Sequence, residues 1–575
     1  MNDKGKLLAV CAILMLACLF IGCGSDSAAD ENAISTDSLT IVKGEAVFEQ
    51  HCSGCHSFRH DGIGPMLSGL TTEVSPDWIN HFIKDPQQQI SSGDKRANQL
   101  HERYKVVMPS FAGLKDDEVD AIIAYMHTQK TPRQQTAKND GELLDPIPDT
   151  IALSDLVVGL KPIAQIPASS DSGRLPLTRI TKLDYQLKTG TLFINDLRGK
   201  LYKLENGEPT VYLDIDKLKP KFINEPGLAT GLGSFAFHPD FSRNGLFYTT
   251  HTEPAGSAKA DFAYADSIKV TVQWVVTEWK ISSPEGVPDA SQSRELLRIN
   301  MVTGIHGVQE ITFNPDAKRG DKDYGLLYIG VGDGGCVEQG YKFLVQSIDK
   351  IWGTIIRIDP AGKNSANGKY GIPDDNPFAK NQNKETVREI YAWGFRNPHR
   401  ITWTGSGKML ACNIGQAHIE ALDLIVPGRN YGWPFREGTF ATLEMHDNLG
   451  KVGPLPANDS VNKIAYPVAQ YDHDEGLAIS GGFEYTGTAI PELKGKYIFG
   501  DIPFGKLYFV NVDDLQQGKQ APIKEWRIQL DGRIRTLKDI CGNERVDLHF
   551  GRDAQGELYI LTKPDGKVYK LISTK

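Results

Sequence analysis

Five residues, Cys52-Ser53-Gly54-Cys55-His56, restrict this chain more than any other stretch. Two thiols spaced by two residues and followed directly by a histidine form the attachment site of a c-type haem. Both sulfurs bond to porphyrin vinyl groups, and the imidazole takes one axial position on the iron. A haem held in this way moves electrons, so the rest of the chain is expected to hold their source or their sink.

The iron needs a second axial ligand, and a thioether sulfur in that place raises the potential. Met108, within Met108-Pro-Ser-Phe111, is the candidate. Met66 lies close to His56 in sequence, and Met126 falls inside a helix expected over Asp116–Met126, where a packing role fits better. A short amphipathic helix over Lys43–His51 delivers Cys52. Gly64-Pro65 and a helix around Asp77–Ile83 complete the pattern. Residues 41–130 resemble a class I cytochrome c domain, a small all-α fold.

The chain has 575 residues and a formal charge of −9, which argues against nucleic acid as a main partner. Lys4 and Lys6 precede an apolar run, Leu7–Ile21, that ends in Gly22-Cys23. That is a charged n-region and an h-region of signal-peptide length, and no later segment is apolar enough to span a bilayer. The end of the run resembles a bacterial lipobox, with Phe20 where leucine is usual. The expectation is a lipoprotein-type signal over 1–23, lipidation of Cys23, and export to the periplasmic side of a bacterial membrane. An uncleaved anchor and plain secretion are the alternatives. Residues 24–40, rich in Ser, Asp and Ala, read as a tether, and 131–150, with its prolines and Asn139-Asp-Gly141, as a linker. Cys336, Cys412 and Cys541 remain, an odd set that defines no disulfide framework.

From 151 to 575 the texture changes to short β-runs broken by Gly, Asp, Asn and Pro. A degenerate hairpin recurs over Thr191–Leu204, Lys496–Val510 and Glu557–Leu571, and Gly325–Gly332 supplies another first strand. Residues 253–293 read as an extended hairpin or a blade with an insertion. Repeated antiparallel hairpins on this scale point to a β-propeller of six blades, which solves the edge-strand problem by radial closure. A long sandwich array is the alternative that the pattern permits.

Six phrases carry a resemblance. They are Gly231-Leu-Gly-Ser-Phe-Ala-Phe-His-Pro-Asp-Phe241, Gly332-Asp-Gly-Gly335, Tyr370–Phe378, Gly394-Phe-Arg-Asn-Pro398, Asn430-Tyr-Gly-Trp-Pro434, and Tyr471-Asp-His473 with Ser480-Gly-Gly482. In family order, they resemble the glucose/sorbosone dehydrogenase family. Those proteins are six-bladed propellers, and their best-known members are soluble quinoprotein sugar dehydrogenases using pyrroloquinoline quinone and calcium.

Oxidising a hydroxyl-bearing carbon needs a base for the hydroxyl proton as hydride departs. The resemblance assigns that role to His306, oriented by Asp333, and assigns quinone contact and charge stabilisation to Arg396 and Asn397. It implies calcium near Gly415, Gln416 and Tyr431. His238, in Phe-His-Pro-Asp-Phe, reads as structural. The chain also departs from the family. Pro503 stands where a lysine meets the cofactor carboxylates, with Lys506 nearby. A later arginine pair reduces to Arg545, and a substrate-contacting glutamine is Ala229.

The expected function is an exported quinohaemoprotein dehydrogenase that takes electrons from a sugar or alcohol and passes them through the haem to a further carrier, a cytochrome or an oxidase. The alternative from another class is a propeller that binds glycan or protein without catalysis, beside an independent cytochrome.

Overall fold

The computed structural model describes residues 34–53, 56–58, 64–104, 107–108, 110–129, 141–226, 228–282, 286–443 and 451–574. Cys23 and Cys55 lie outside the described residues.

The N-terminal unit is helical. Helices run over Ser38–His51, Leu70–Glu73, Pro76–Lys84, Pro86–Ser91, Lys95–Tyr104 and Asp116–Thr128. Asp37 caps the first, its carboxylate accepting from Thr40 N–H at 2.8 Å. Pro76 sits in the first turn of its helix behind the Ser75 cap, where its missing N–H does no harm. The expected helices over 43–51, 77–83 and 116–126 are present, each slightly longer than its apolar signal. Lys95–Tyr104 was not expected, because its run of charged and polar residues holds too few apolar side chains to draw notice.

The first and last helices cross closely. A Cβ on Gly44 would stand 1.8 Å from the Ala121 carbonyl oxygen, so only glycine allows the contact. Around that crossing Phe48, Leu67, Ile79, Ile83, Leu114, Val119, Ile122, Ile123 and Met126 form one buried core. Met126 packs there, as its place in the helix implies.

Residues 152–572 are almost entirely β. Antiparallel four-stranded sheets are built from Leu232–Met301, Glu310–Trp393 and Pro398–Leu424 with Ala469–Asp472. A three-stranded ribbon joins Arg436–Glu437, Phe440–Thr442 and Val452–Gly453, and the remaining strands join one 13-stranded sheet. Strand Ala152–Gln165 makes that sheet continuous. It pairs antiparallel with Lys567–Ile572 and parallel with Lys524–Leu530, so the beginning and end of the β region close on each other. The recurring hairpins fall where the sequence pattern puts them, over 192–205, 496–511 and 558–572. The extended hairpin expected over 253–293 lies earlier in the chain, as the nine-residue pair Leu246–Pro254 and Val272–Lys280.

Residues 141–150 contain no helix or strand, yet they lie against the β region. Leu143 N–H bonds the Val452 carbonyl at 2.9 Å, Ile147 N–H bonds Asp472 at 3.1 Å, and Glu142 pairs with Lys451 at 2.6 Å. Cys336, Cys412 and Cys541 form no disulfide. Among the described residues, no helix is long and apolar enough to cross a membrane.

Replacing Gly44 by alanine forces the two helices apart. The expected cost is about 1–3 kcal/mol of stability in the helical unit alone. Thermal melting followed at the haem Soret band should show an earlier transition there, with the β region unchanged.

Candidate haem and active-site cavity

In each four-stranded unit the residues just before the first strand and just after the second lie at the same end of an antiparallel pair. His306, Asn397 and Arg545 precede first strands. Asp333, Gly415 and Lys563 follow second strands. This rule alone gathers the candidate residues on one face.

That face opens into a cavity of ≈ 1490 Å³, whose opposite wall is the helical unit. From the helical side it is lined by Cys52, His56, Met66, Met108 and apolar side chains such as Trp78, Phe82 and Ile83. From the β side it is lined by His306, Asn397, His399, Arg545, His549 and Lys563. The two units touch directly, with Arg174 donating to the Gly113 carbonyl at 2.9 Å and Lys269 lying 3.7 Å from Glu45.

On the haem side, His56 Nδ1 donates to the Pro65 carbonyl at 2.9 Å. That bond fixes the tautomer and leaves Nε2 for iron. Gly64 packs against the ring, where a Cβ would come within 2.3 Å of it. Met108 is half-buried and lines the same cavity. An apolar cavity with an oriented imidazole, a thioether and the Cys52 thiol fits a haem. Cys55, the second attachment residue, is outside the described residues.

Across the cavity, Asp333 is fully buried and His306 nearly so. His306 Nδ1 lies 2.8 Å from Asp333 Oδ1, which also accepts the Gly335 N–H at 2.9 Å. Asp333 Oδ2 accepts from the Trp433 indole at 3.0 Å. Burial alone pushes the Asp333 carboxyl up. The His306 charge and hydrogen bond, with Arg396 and the Gly335 N–H, more than offset it and hold the group below the ordinary carboxylate range. His306 has φ 49°, a left-handed conformation that aims its ring from the turn. With Nδ1 committed to Asp333, Nε2 is the nitrogen left to exchange a proton.

Arg396 requires a correction. Its guanidinium does not line the cavity. It is tied to Glu338 at 2.6 Å, to the Gln416 side-chain oxygen at 2.7 Å and to the Gly415 carbonyl, and it stands over the Trp433 ring. Its place is behind Asp333, whose N–H bonds the Arg396 carbonyl at 2.8 Å. The Glu338 carboxylate neutralises it, which explains why it turns from the open space. Asn397, its neighbour, does line the cavity.

The same contacts bear on calcium. Arg396 occupies the Gly415 carbonyl and the Gln416 side-chain oxygen. The Tyr431 hydroxyl donates to the Leu424 carbonyl at 2.7 Å and accepts the Val426 N–H at 2.9 Å. As arranged, these positions do not form an oxygen cage, and a dication there would face a guanidinium. Glu437 shapes this loop, its Oε1 accepting the N–H groups of Gln416, Ala417, His418 and Ile419 at 2.8–3.0 Å. His238 is structural, as read from sequence, with Nδ1 accepting the Asp240 N–H at 2.9 Å.

The cationic side of the cavity is richer than the family alignment implied. Arg545 is present, bonded to Asp547 at 2.8 Å, and Pro503 and Lys506 are on the wall. Arg179, Arg198 and Lys563 join them, with the buried imidazoles of His399 and His549 between. Sequence reasoning missed these. One signal was available, because Arg198, Lys506 and Lys563 each follow the first strand of one of the three recurring hairpins. A pocket with several cations and oriented polar groups fits a polycarboxylate quinone.

The family described as Glucose / Sorbosone dehydrogenase matches residues 184–570, and that described as Cytochrome c matches 41–130. The chain belongs to the glucose/sorbosone dehydrogenase family and carries a cytochrome c domain ahead of it. The HIPL1 protein of Arabidopsis thaliana is 29% identical over 388 residues, 60% of this chain and 53% of that protein. Quinoprotein glucose dehydrogenase B of Acinetobacter calcoaceticus is 26% identical over 302 residues, 49% of this chain and 55% of that one. The chain spans about half the length of the curated relatives it matches. Among solved structures, the apo form of the soluble aldose sugar dehydrogenase of Escherichia coli covers 72% of this chain and 99% of its own. Its TM-score is 0.51 at 19% identity, a likeness of fold.

A Met108→His variant is expected to lower the haem reduction potential, because a thioether ligand raises it. Met66→Leu should leave the potential unchanged. Redox titration of the two variants separates the candidate sulfurs.

Proposed function

We propose that this chain is a quinone-dependent dehydrogenase of sugars or alcohols that delivers its electrons to its own haem. The observation that carries the reading is the pairing of His306 with the fully buried Asp333 on a cavity that His56 and Met108 also line. We read the 13-stranded sheet as three four-stranded blades joined at their edges. With the other three four-stranded sheets this gives a six-bladed propeller, the last blade completed by strand Ala152–Gln165.

Bound pyrroloquinoline quinone would supply the two-electron sink, and the haem iron would take electrons from it one at a time. The chain's own residues do the rest. A substrate hydroxyl at His306 Nε2 gives up its proton as hydride leaves the same carbon, and Asp333 stabilises the imidazolium that results. Asn397, Arg545 and the other cavity cations hold the anionic quinone, and the apolar wall around Trp78 and Phe82 keeps water from the haem edge. Arg396 keeps Asp333 ionised from behind. A binding module has no use for a carboxylate-oriented imidazole facing a haem pocket, and the dehydrogenase reading is preferred for that reason.

Export belongs to the same proposal. Haem attachment outside the cytoplasm, a lipid at Cys23 and a membrane-held acceptor agree with the sequence of the first 23 residues. Calcium enters because the family resemblance implies it, and no step above depends on it.

The test is reconstitution of the purified haem protein with pyrroloquinoline quinone and Ca²⁺, followed at the haem α-band as aldoses and alcohols are added. Reduction by at least one of them is expected. His306→Ala should slow it roughly 10²–10⁴-fold with the haem spectrum intact. Absence of quinone binding together with absence of haem reduction across the panel would sink the reading.

A further inference from the structure

Lys563 stands out among the cavity groups. It leaves the strand Leu558–Thr562 and lines the cavity. Among the described residues, its amine makes no ion pair within 4.0 Å. The carboxylate that faces it, Asp547, already accepts from Arg545 Nε at 2.8 Å. Asp196, further off, accepts from the Arg179 N–H at 3.1 Å and the Arg198 N–H at 2.8 Å. His399 and His549 have ring centroids 5.7 Å apart on the same cavity, and both are buried. Among the described residues, His399 Nδ1 and His549 Nε2 have no hydrogen-bond partner.

A half-buried amine in the cavity wall beside guanidinium groups, next to buried imidazole nitrogens without hydrogen-bond partners among the described residues, is costly unless something anionic fills the space. Burial, with repulsion from Arg179 and Arg545 against the attraction of Asp547 and Asp196, pulls the Lys563 amine down to about 8. Burial and the charges of Arg400 and Lys563 hold both imidazoles neutral. The unliganded protein is therefore strained electrostatically at one spot.

Resting on the quinone reading above, we propose that Lys563, flanked by Arg179 and Arg545 and by the His399 and His549 rings, forms a carboxylate-binding site. It takes over the task of the cofactor lysine that Pro503 replaces. A sugar acid presents the same group as the quinone, so the two sources are to be distinguished by measurement.

The sign of the pH dependence follows from the depressed amine. In the unliganded protein the charged lysine opposes folding below about 8, and that loss is recovered as pH rises past this value. A bound carboxylate reverses the preference, so affinity falls over the same rise.

The experiment uses the full haem-loaded chain and equilibrium binding, not turnover. Fluorescence titration with pyrroloquinoline quinone is one arm, and titration with glucuronate in the presence of the quinone is the other. Lys563→Met is expected to weaken binding roughly 10–100-fold, the loss of a charged hydrogen bond. Lys563→Arg should keep most of the affinity and remove its decline above pH 8. Without ligand, Lys563→Met should melt higher than wild type by a few degrees, because a half-buried charge with no ion pair among the described residues is gone. Weakening in the first arm assigns the site to the quinone, and weakening only in the second assigns it to an acidic substrate. Unchanged affinity in both arms, or an unliganded Lys563→Met that melts lower, overturns the proposal. If wild type binds quinone and Lys563→Met does so equally well, only this site fails. If wild type binds none, the quinone reading fails with it.

Discussion

Asp333 holds the candidate site together. Its carboxylate is fully buried and ties its own turn, through the Gly335 N–H, to two distant loops, through the His306 imidazole and the Trp433 indole. Its own N–H anchors on the Arg396 carbonyl. A buried carboxylate persists only when its oxygens are satisfied, and removing one partner of such a group is destabilising by about 3–5 kcal/mol. The register of these loops and the aim of His306 are thus one constraint. Arg396 belongs to it as well, clamped by Glu338 and contributing positive charge to the far side of the carboxylate.

The site combines two opposite electrostatic designs. Around Asp333, charges are paired and hydrogen bonds saturated, which suits a group whose orientation must not change during proton transfer. Around Lys563, an amine with no ion pair among the described residues lies beside guanidinium groups, which suits the anion proposed for that wall. Both regions open on the space that the cytochrome unit closes from above, with Arg174 and Gly113 in contact at its rim. Shared space of this kind would put the proposed proton acceptor, the proposed anion site and the haem pocket on one cavity.

Much of this was legible in the sequence, and the reason is local. Cys52–His56 and the Gly332-Asp-Gly-Gly335 turn are contiguous, so their chemistry shows in a single line of residues. The hairpins at 192–205 and 558–572 announce themselves by alternation and a glycine turn. Gly44 gave no such signal, because its need for glycine arises from Ala121 on the last helix. The cations were hidden for a similar reason. Arg179 and Lys563 come from different hairpins, and the one mark Lys563 carries in sequence is its place after the first strand of a recurring hairpin. Arg396 was placed on the correct loop but given the wrong outlook, since its partner Glu338 lies 58 positions away.

In the proposed function, electrons reach the haem inside one molecule. Stopped-flow reduction of the quinone-loaded protein, mixed with excess substrate and followed at the haem α-band over a wide range of protein concentration, tests it most directly. The expected result is a first-order rate of haem reduction that does not change with protein concentration. A rate that rises in proportion to protein concentration would mean that the haem is reduced by a second molecule, and the shared cavity would not be the route.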